Sequence, residues 1–125
     1  MADNITPAEP ERIAIQHVLV SFAGTGTRAR RSQAEAAELA AATLARANAG
    51  EDFDALVREL TDDSPPGIYR LSNLGVAPAS GEYPRNRMVA AFGDVGFGLD
   101  VGDIGMANFD PRTSPYGWHI IKRLS

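Results

Sequence analysis

A chain of 125 residues with 44% hydrophobic and 22% charged residues has the size and composition of one globular domain with its own core. Its net charge of −4 gives no general attraction for nucleic acid or an anionic membrane. The absence of cysteine excludes disulfides, thiolate catalysis and thiolate metal sites together, and no apolar run approaches the ~20 residues that span a bilayer.

Residues 1–11, "MADNITPAEPE", carry two prolines and no apolar pattern, so they read as a flexible lead-in to a single domain over 12–125. They also lack the basic start and apolar stretch of a signal peptide, which makes a cytoplasmic location the expectation. A first strand follows, from about Arg12 to Phe22. Alternation puts Ile13, Ile15, His17 and Leu19 on one face and Ala14, Gln16, Val18 and Val20 on the other. Apolar residues on both faces predict a central, covered strand.

The glycine-rich basic loop "AGTGTRARR" leads to Ser32, which with Glu35 has the spacing of a capping box. Ala36, Leu39, Ala40, Thr43, Leu44 and Ala47 then form the apolar stripe of a helix ended by Gly50. A second, short helix is expected from about Asp52 to Leu60, where Phe53, Leu56, Val57 and Leu60 recur at helical spacing. "TDDSPPG" stops it. "IYRLSNL" reads as a second strand, "GVAPASGEYP" as a loop, and 86–92 as a short helix with Met88 and Phe92 at i, i+4. "IGMANF" and "WHIIKRL" complete four strands. The order β-α-α-β-α-β-β predicts an α+β fold with a small, mainly antiparallel sheet carrying helices.

Several chemistries can be weighed on this layout. The glycine loop has neither the spacing of a P-loop nor G-x-G-x-x-G, and no βαβ repeat follows, so a nucleotide site is discounted. The plainer expectation is a surface loop. Arg28, Arg30 and Arg31 beside a helix start offer an alternative, a patch for acidic or phosphorylated groups, although Arg31 could equally lie along the helix. Two distant histidines with carboxylates such as Asp63 make a poor zinc set, and no metal or cofactor is expected. A triad of Ser64 or Ser114 with His17 and Asp63 lacks any nucleophile elbow. The two histidines themselves, His17 and His119, each head an aliphatic run. If the first and last strands are neighbours, the rings can meet. Two buried imidazoles cannot cheaply both be charged, so a neutral pair sharing a hydrogen bond is expected, with hydroxyls such as Ser114 on the outer nitrogens.

The succession "IQHVLVSF", "RSQAEAAELA", "GEDFDALVRELTDD", "MVAAFGDVGF", "GDIG" and "SPYGWHIIKRL" resembles the parvulin family of peptidyl-prolyl cis/trans isomerases over about Ile13 to Leu124. The resemblance implies a four-stranded, twisted, mainly antiparallel sheet wrapped by about four helices, like that of FK506-binding proteins. It implies rotation of X-Pro bonds in proline-containing peptides or unfolded segments by a chain that is expected to be a monomer. His17 and His119 match the family's paired active-site histidines, and Asp63 the position that is Cys or Asp in members. Met88 and Phe92 match walls of the proline pocket, and Ser114 and Tyr116 fall at hydroxyl or aromatic positions before the last histidine. Between Asp63 and Met88 the chain departs from the family pattern. The pocket's usual leucine could be Tyr69 or Leu74, and the 74–86 loop could reshape the groove. A parvulin-fold chaperone or peptide-binding module without turnover is therefore the alternative.

Overall fold

The computed structural model describes residues 9–125. Its strands are β1 (Arg12–Val20), β2 (Ile68–Ser72), β3 (Tyr83–Pro84), β4 (Ile104–Ala107) and β5 (Trp118–Arg123). Its helices are α1 (Gln33–Asn48), α2 (Phe53–Leu60) and α3 (Ala90–Gly98), with a 3-10 turn at Arg85–Arg87. The strands form one sheet in the order β3-β2-β1-β5-β4. All pairings are antiparallel except β2 with β3. Among the described residues no helix is long and apolar enough to cross a membrane.

The central strand is β1, as its two-faced apolar pattern predicts. Val18 and Val20, with Ile120 of β5, pack under α1 and α2 against Ala36, Ala40, Leu56 and Val57. Ile13 and Ile15, with Ile121, face the other way, onto Phe92 and Phe97 of α3. Each large side chain buried in these two layers contributes about 1.5–3 kcal/mol. Helix α1 begins at the predicted capping box: Ser32 Oγ accepts from Glu35 N, and Glu35 returns the bond to Ser32 N. Asp52 caps α2 with a single bond, its carboxylate accepting from Ala55 N.

Three features differ from the sequence expectation. First, the helix expected over 86–92 lies at Ala90–Gly98, and Met88 precedes it in extended backbone. Gly93, Gly96 and Gly98 each disfavour a helix by about 1 kcal/mol relative to alanine, which hides it from a propensity reading. Two of these glycines serve packing. A Cβ on Gly96 would lie 3.3 Å from the Cδ1 atoms of Ile13 and Ile15, and one on Gly93 would lie 2.8 Å from Arg85 Cγ. Second, the expected loop over 75–84 contains β3, a fifth strand. Two residues are too few to show periodicity, and Pro84 suits an edge strand because it has no N–H to leave unpaired. Third, residues 9–11 of the expected lead-in are tied down. Asn73 N donates to Glu11 O at 2.8 Å, and the Glu9 carboxylate accepts from Arg85 Nη1 at 2.7 Å. The rest of that lead-in, 1–8, lies outside the described residues.

Candidate active site

His17 and His119 stand on the α3 side of the sheet. The β1–β5 register pairs His17 with Ile121 and Leu19 with His119, so the two rings are diagonal neighbours on one face. Their Nδ1 atoms are 3.0 Å apart and the rings stack at a centroid distance of 5.1 Å. Both are buried, at 3% and 4% exposure.

Asp63 reaches the pair from the loop after α2. That loop is laced along β1: Leu19 N donates to Thr61 Oγ1, Asp62 N to Leu19 O, His17 N to Gly67 O, and Gln16 Nε2 to Pro66 O. Gly67 is required there, because its φ is +66° and a Cβ would lie 2.8 Å from His17 O. With the loop so placed, Asp63 Oδ2 lies 3.1 Å from His17 Nε2 and accepts from the Tyr69 hydroxyl at 2.8 Å. The His17 bond, reinforced by the Tyr69 hydroxyl and opposed by partial burial, holds the Asp63 carboxyl well below the usual carboxylate range. The reciprocal effect, with burial as the larger cause, pushes Tyr69 up to about 12.

An ionised carboxylate only accepts hydrogen bonds, so His17 carries its proton on Nε2. In the tautomer with that proton on Nε2, the lone pair on His17 Nδ1 accepts from His119 Nδ1–H. The remaining nitrogen, His119 Nε2, is a buried lone pair without a partner among the described residues. Burial, and then the neighbouring His17, push His119 down to about 3, against the weaker pull of Asp63. The folded protein therefore refuses a proton that the unfolded chain takes up near the ordinary histidine value of about 6.5. Stability is expected to be full above that value. It should fall by up to about 1.4 kcal/mol per pH unit as the pH drops from 6.5 toward 3. Urea midpoints measured across that range should show the slope, and His119→Phe should flatten it. An equal slope in both proteins would refute the assignment.

Above the histidines opens a cleft of about 400 Å³. Met88, Val89 and Phe92 wall one side and Tyr69 another; Thr27, Arg28 and Tyr116 stand at its rim. Phe92 packs edge-on to both imidazoles, with centroids 4.9 Å from His17 and 5.4 Å from His119. The cleft thus has an apolar wall, a floor of two hydrogen-bonded imidazoles, and two carboxylates, Asp63 and the Arg31-paired Asp62.

The structure brings His17, Asp63, His119, Met88, Phe92, Tyr116 and Arg28 to this one cleft. It does not bring all the candidates. The Ser114 hydroxyl is fully buried and donates to Gly117 O at 2.6 Å, so it closes the turn before β5 and does not serve a histidine nitrogen. Arg31 is held by Asp62 Oδ2 at 2.6 Å and Ser21 O at 2.9 Å, which ties the glycine loop to the Asp63 loop and leaves that guanidinium engaged. Arg30 is exposed and lies outside the cleft lining. Leu74 is 63% exposed on the 74–86 loop, so Tyr69 is the side chain that completes the wall. Sequence reasoning missed Val89 and the Tyr69–Asp63 bond. The first was hidden by the misplaced helix; the second joins two elements whose proximity no local pattern encodes. Among the described residues no cluster of three or more His, Asp or Glu side chains is placed to hold a metal ion.

The five-stranded sheet with β1 at its centre, here carrying a histidine pair under an apolar cleft, is found in solved parvulin structures. TbPIN1 superposes with a TM-score of 0.68 at 22% identity, over 92% of this chain and 98% of that one. The peptidyl-prolyl isomerase ESS1 from Candida albicans gives 0.70 at 17% identity, over 95% of this chain and 67% of that one. NmPin, the parvulin of Nitrosopumilus maritimus, is 29% identical with a TM-score of 0.54, over 96% of this chain and all of that one. A comparison with curated protein sequences returns no match. The pattern of the PPIC-type PPIase domain matches residues 4–124, and the chain belongs to that family of peptidyl-prolyl cis/trans isomerases.

Proposed function

We propose that the cleft seats the proline ring of a proline-containing peptide against Met88 and Phe92, with the preceding carbonyl turning above His17, His119 and Asp63. The observation that carries this reading is the placement of an apolar slot directly over a hydrogen-bonded histidine pair, one member of which is bonded to the Asp63 carboxylate.

The chemistry asks little of a nucleophile. Rotation about the bond before proline meets a barrier of ~20 kcal/mol, set by amide resonance. A planar amide is more polar than a twisted one, so an apolar slot that strips water from the carbonyl favours the twisted form. The ionised Asp63 adds a negative field that disfavours a planar, electron-rich carbonyl oxygen nearby. His17 and His119 hold Asp63 and shape the floor without transferring protons.

Arg28, exposed at the rim, could favour an acidic or phosphorylated residue before the proline. The departure from the family pattern between Asp63 and Met88 keeps open the second reading, a peptide-binding or chaperone module with weak turnover. A protease-coupled assay on a set of X-Pro peptides separates the two. Wild type should accelerate isomerisation, and Met88→Ala should lower kcat/KM about tenfold by removing apolar wall. Arg28→Ala should reduce any preference for Glu or phosphoserine before proline. No acceleration on any peptide would leave only the binding reading.

A further inference from the structure

Tyr69 stands where two parts of the site meet. Its strand pairs antiparallel to β1, placing Tyr69 opposite Ile15, and β1 continues to His17, whose N–H bonds Gly67 O just before β2. The ring therefore lies diagonally beside His17, with centroids 5.4 Å apart, and edge-on to Phe92 at 5.7 Å and 90°. The same side chain ends in a hydroxyl 2.8 Å from Asp63 Oδ2. His17 donates to that same oxygen from the neighbouring strand.

We propose that Tyr69 is a positioning residue of this site: its ring walls the cleft while its hydroxyl, with His17, clamps the Asp63 carboxylate from two strands. The inference rests on the isomerase reading and deepens it. A carboxylate held by one donor can pivot about that bond. A second donor from another strand fixes the plane of the group and the direction of its field. The oxygen so held belongs to a loop residue that is otherwise a third exposed, with its side chain at 34%. A leucine at this position, which the resemblance to the family leads one to expect, would supply the wall but not the clamp. Because ring and hydroxyl are one side chain, a peptide that displaces the wall also disturbs the carboxylate, so slot shape and field direction are coupled.

Removing only the oxygen separates the two roles. In Tyr69→Phe, peptide affinity measured by NMR titration should stay within about twofold of wild type, since the wall remains. Turnover at saturating peptide, measured by exchange spectroscopy, should fall about tenfold, the size expected for one bond to a charged group. Tyr69→Leu should show the same loss of turnover. It should also bind the peptide more weakly, because the smaller side chain gives up the ring's contacts with His17 and Phe92. A ¹³C titration of the Asp63 carboxyl gives a readout independent of activity, with its midpoint moving upward in Tyr69→Phe. The titratable groups that share the cleft with that carboxyl are His17 and His119 on the floor, Arg28 at the rim, and Asp62, itself paired with Arg31; Tyr83 lies behind Tyr69. None of these is altered by the substitution. Turnover of Tyr69→Phe equal to wild type overturns the proposal. If wild type itself shows no turnover, the isomerase reading has failed. The carboxyl titration then decides alone: a raised midpoint upholds the clamp and an unchanged one overturns it.

Discussion

Gly117→Ala should destabilise the protein by about 3 kcal/mol or more, enough to remove much of the 5–15 kcal/mol typical of a domain. Gly117 ends the turn before β5, with φ at +138°. A Cβ built there would lie 2.2 Å from Val20 O and 3.0 Å from Ser21 Cα, both backbone atoms at the end of the central strand. No rotamer relieves that overlap, so either β1 or the turn must move. Moving the turn breaks the bond from Ser114 Oγ to Gly117 O and shifts Tyr116 and His119, which flank it. Moving β1 opens the core layer that holds Val18 and Val20. Gly75→Ala is the control: its φ is +78° but a Cβ there meets nothing within 4 Å, so only backbone strain of about 1 kcal/mol is expected. Denaturant midpoints of the two variants should differ accordingly. Equal, small losses would mean that the close approach at Gly117 does not exist in solution.

The largest effect on turnover should come from Asp63. Asp63→Asn keeps an oxygen that can accept from His17 and Tyr69 but removes the charge. If the field of the carboxylate lowers the barrier, Asp63→Asn and Asp63→Ala should both lose about 10²-fold in kcat/KM, the scale of losing one electrostatic element from a site. If Asp63 served only to orient His17, the asparagine variant would keep most of the activity, and that result would refute the electrostatic role. The pH dependence has a definite sign. The Asp63 carboxyl is held well below its ordinary value of 3.8 by the His17 bond, so the carboxylate stays charged through pH 4. The stability that its bonds provide is complete above that ordinary value and is lost only as the pH falls through the depressed one. Loss of activity between pH 6 and 4 would therefore follow from His119 and the acid weakening of the fold, and should track the unfolding midpoint.

Local chemistry was legible wherever a pattern repeats within one element. The alternation of Ile13, Ile15, His17 and Leu19, the Ser32–Glu35 box and the spacing of Phe53, Leu56, Val57 and Leu60 all appear in the folded chain as read. The same logic put His17 and His119 on the faces of strands and raised their pairing, conditional on the first and last strands being neighbours; the resemblance to the family gave the pair its role. What failed was also local: α3 was placed too early because its glycines look like breaks. In the folded chain two of those glycines let the helix sit close to its neighbours, Gly96 against Ile13 and Ile15 and Gly93 against Arg85.

By itself, then, the sequence determined most of the element types and the central covered strand, because capping, periodicity and burial act between residues a few positions apart; Asp63, Met88 and Phe92 became candidates through the resemblance to the family. Tertiary structure decided which candidates meet. His17 and His119 are 102 residues apart and touch only through the β1–β5 register. Arg31 was withdrawn from the candidate anion patch by Asp62, Ser114 from the histidines by Gly117 O, and Tyr69 was recruited by Asp63. The His17–His119 and Arg31–Asp62 bonds join residues far apart in the chain and need the folded sheet, while the Ser114–Gly117 and Tyr69–Asp63 bonds are local but depend on the turn geometry, which no strand or helix period encodes.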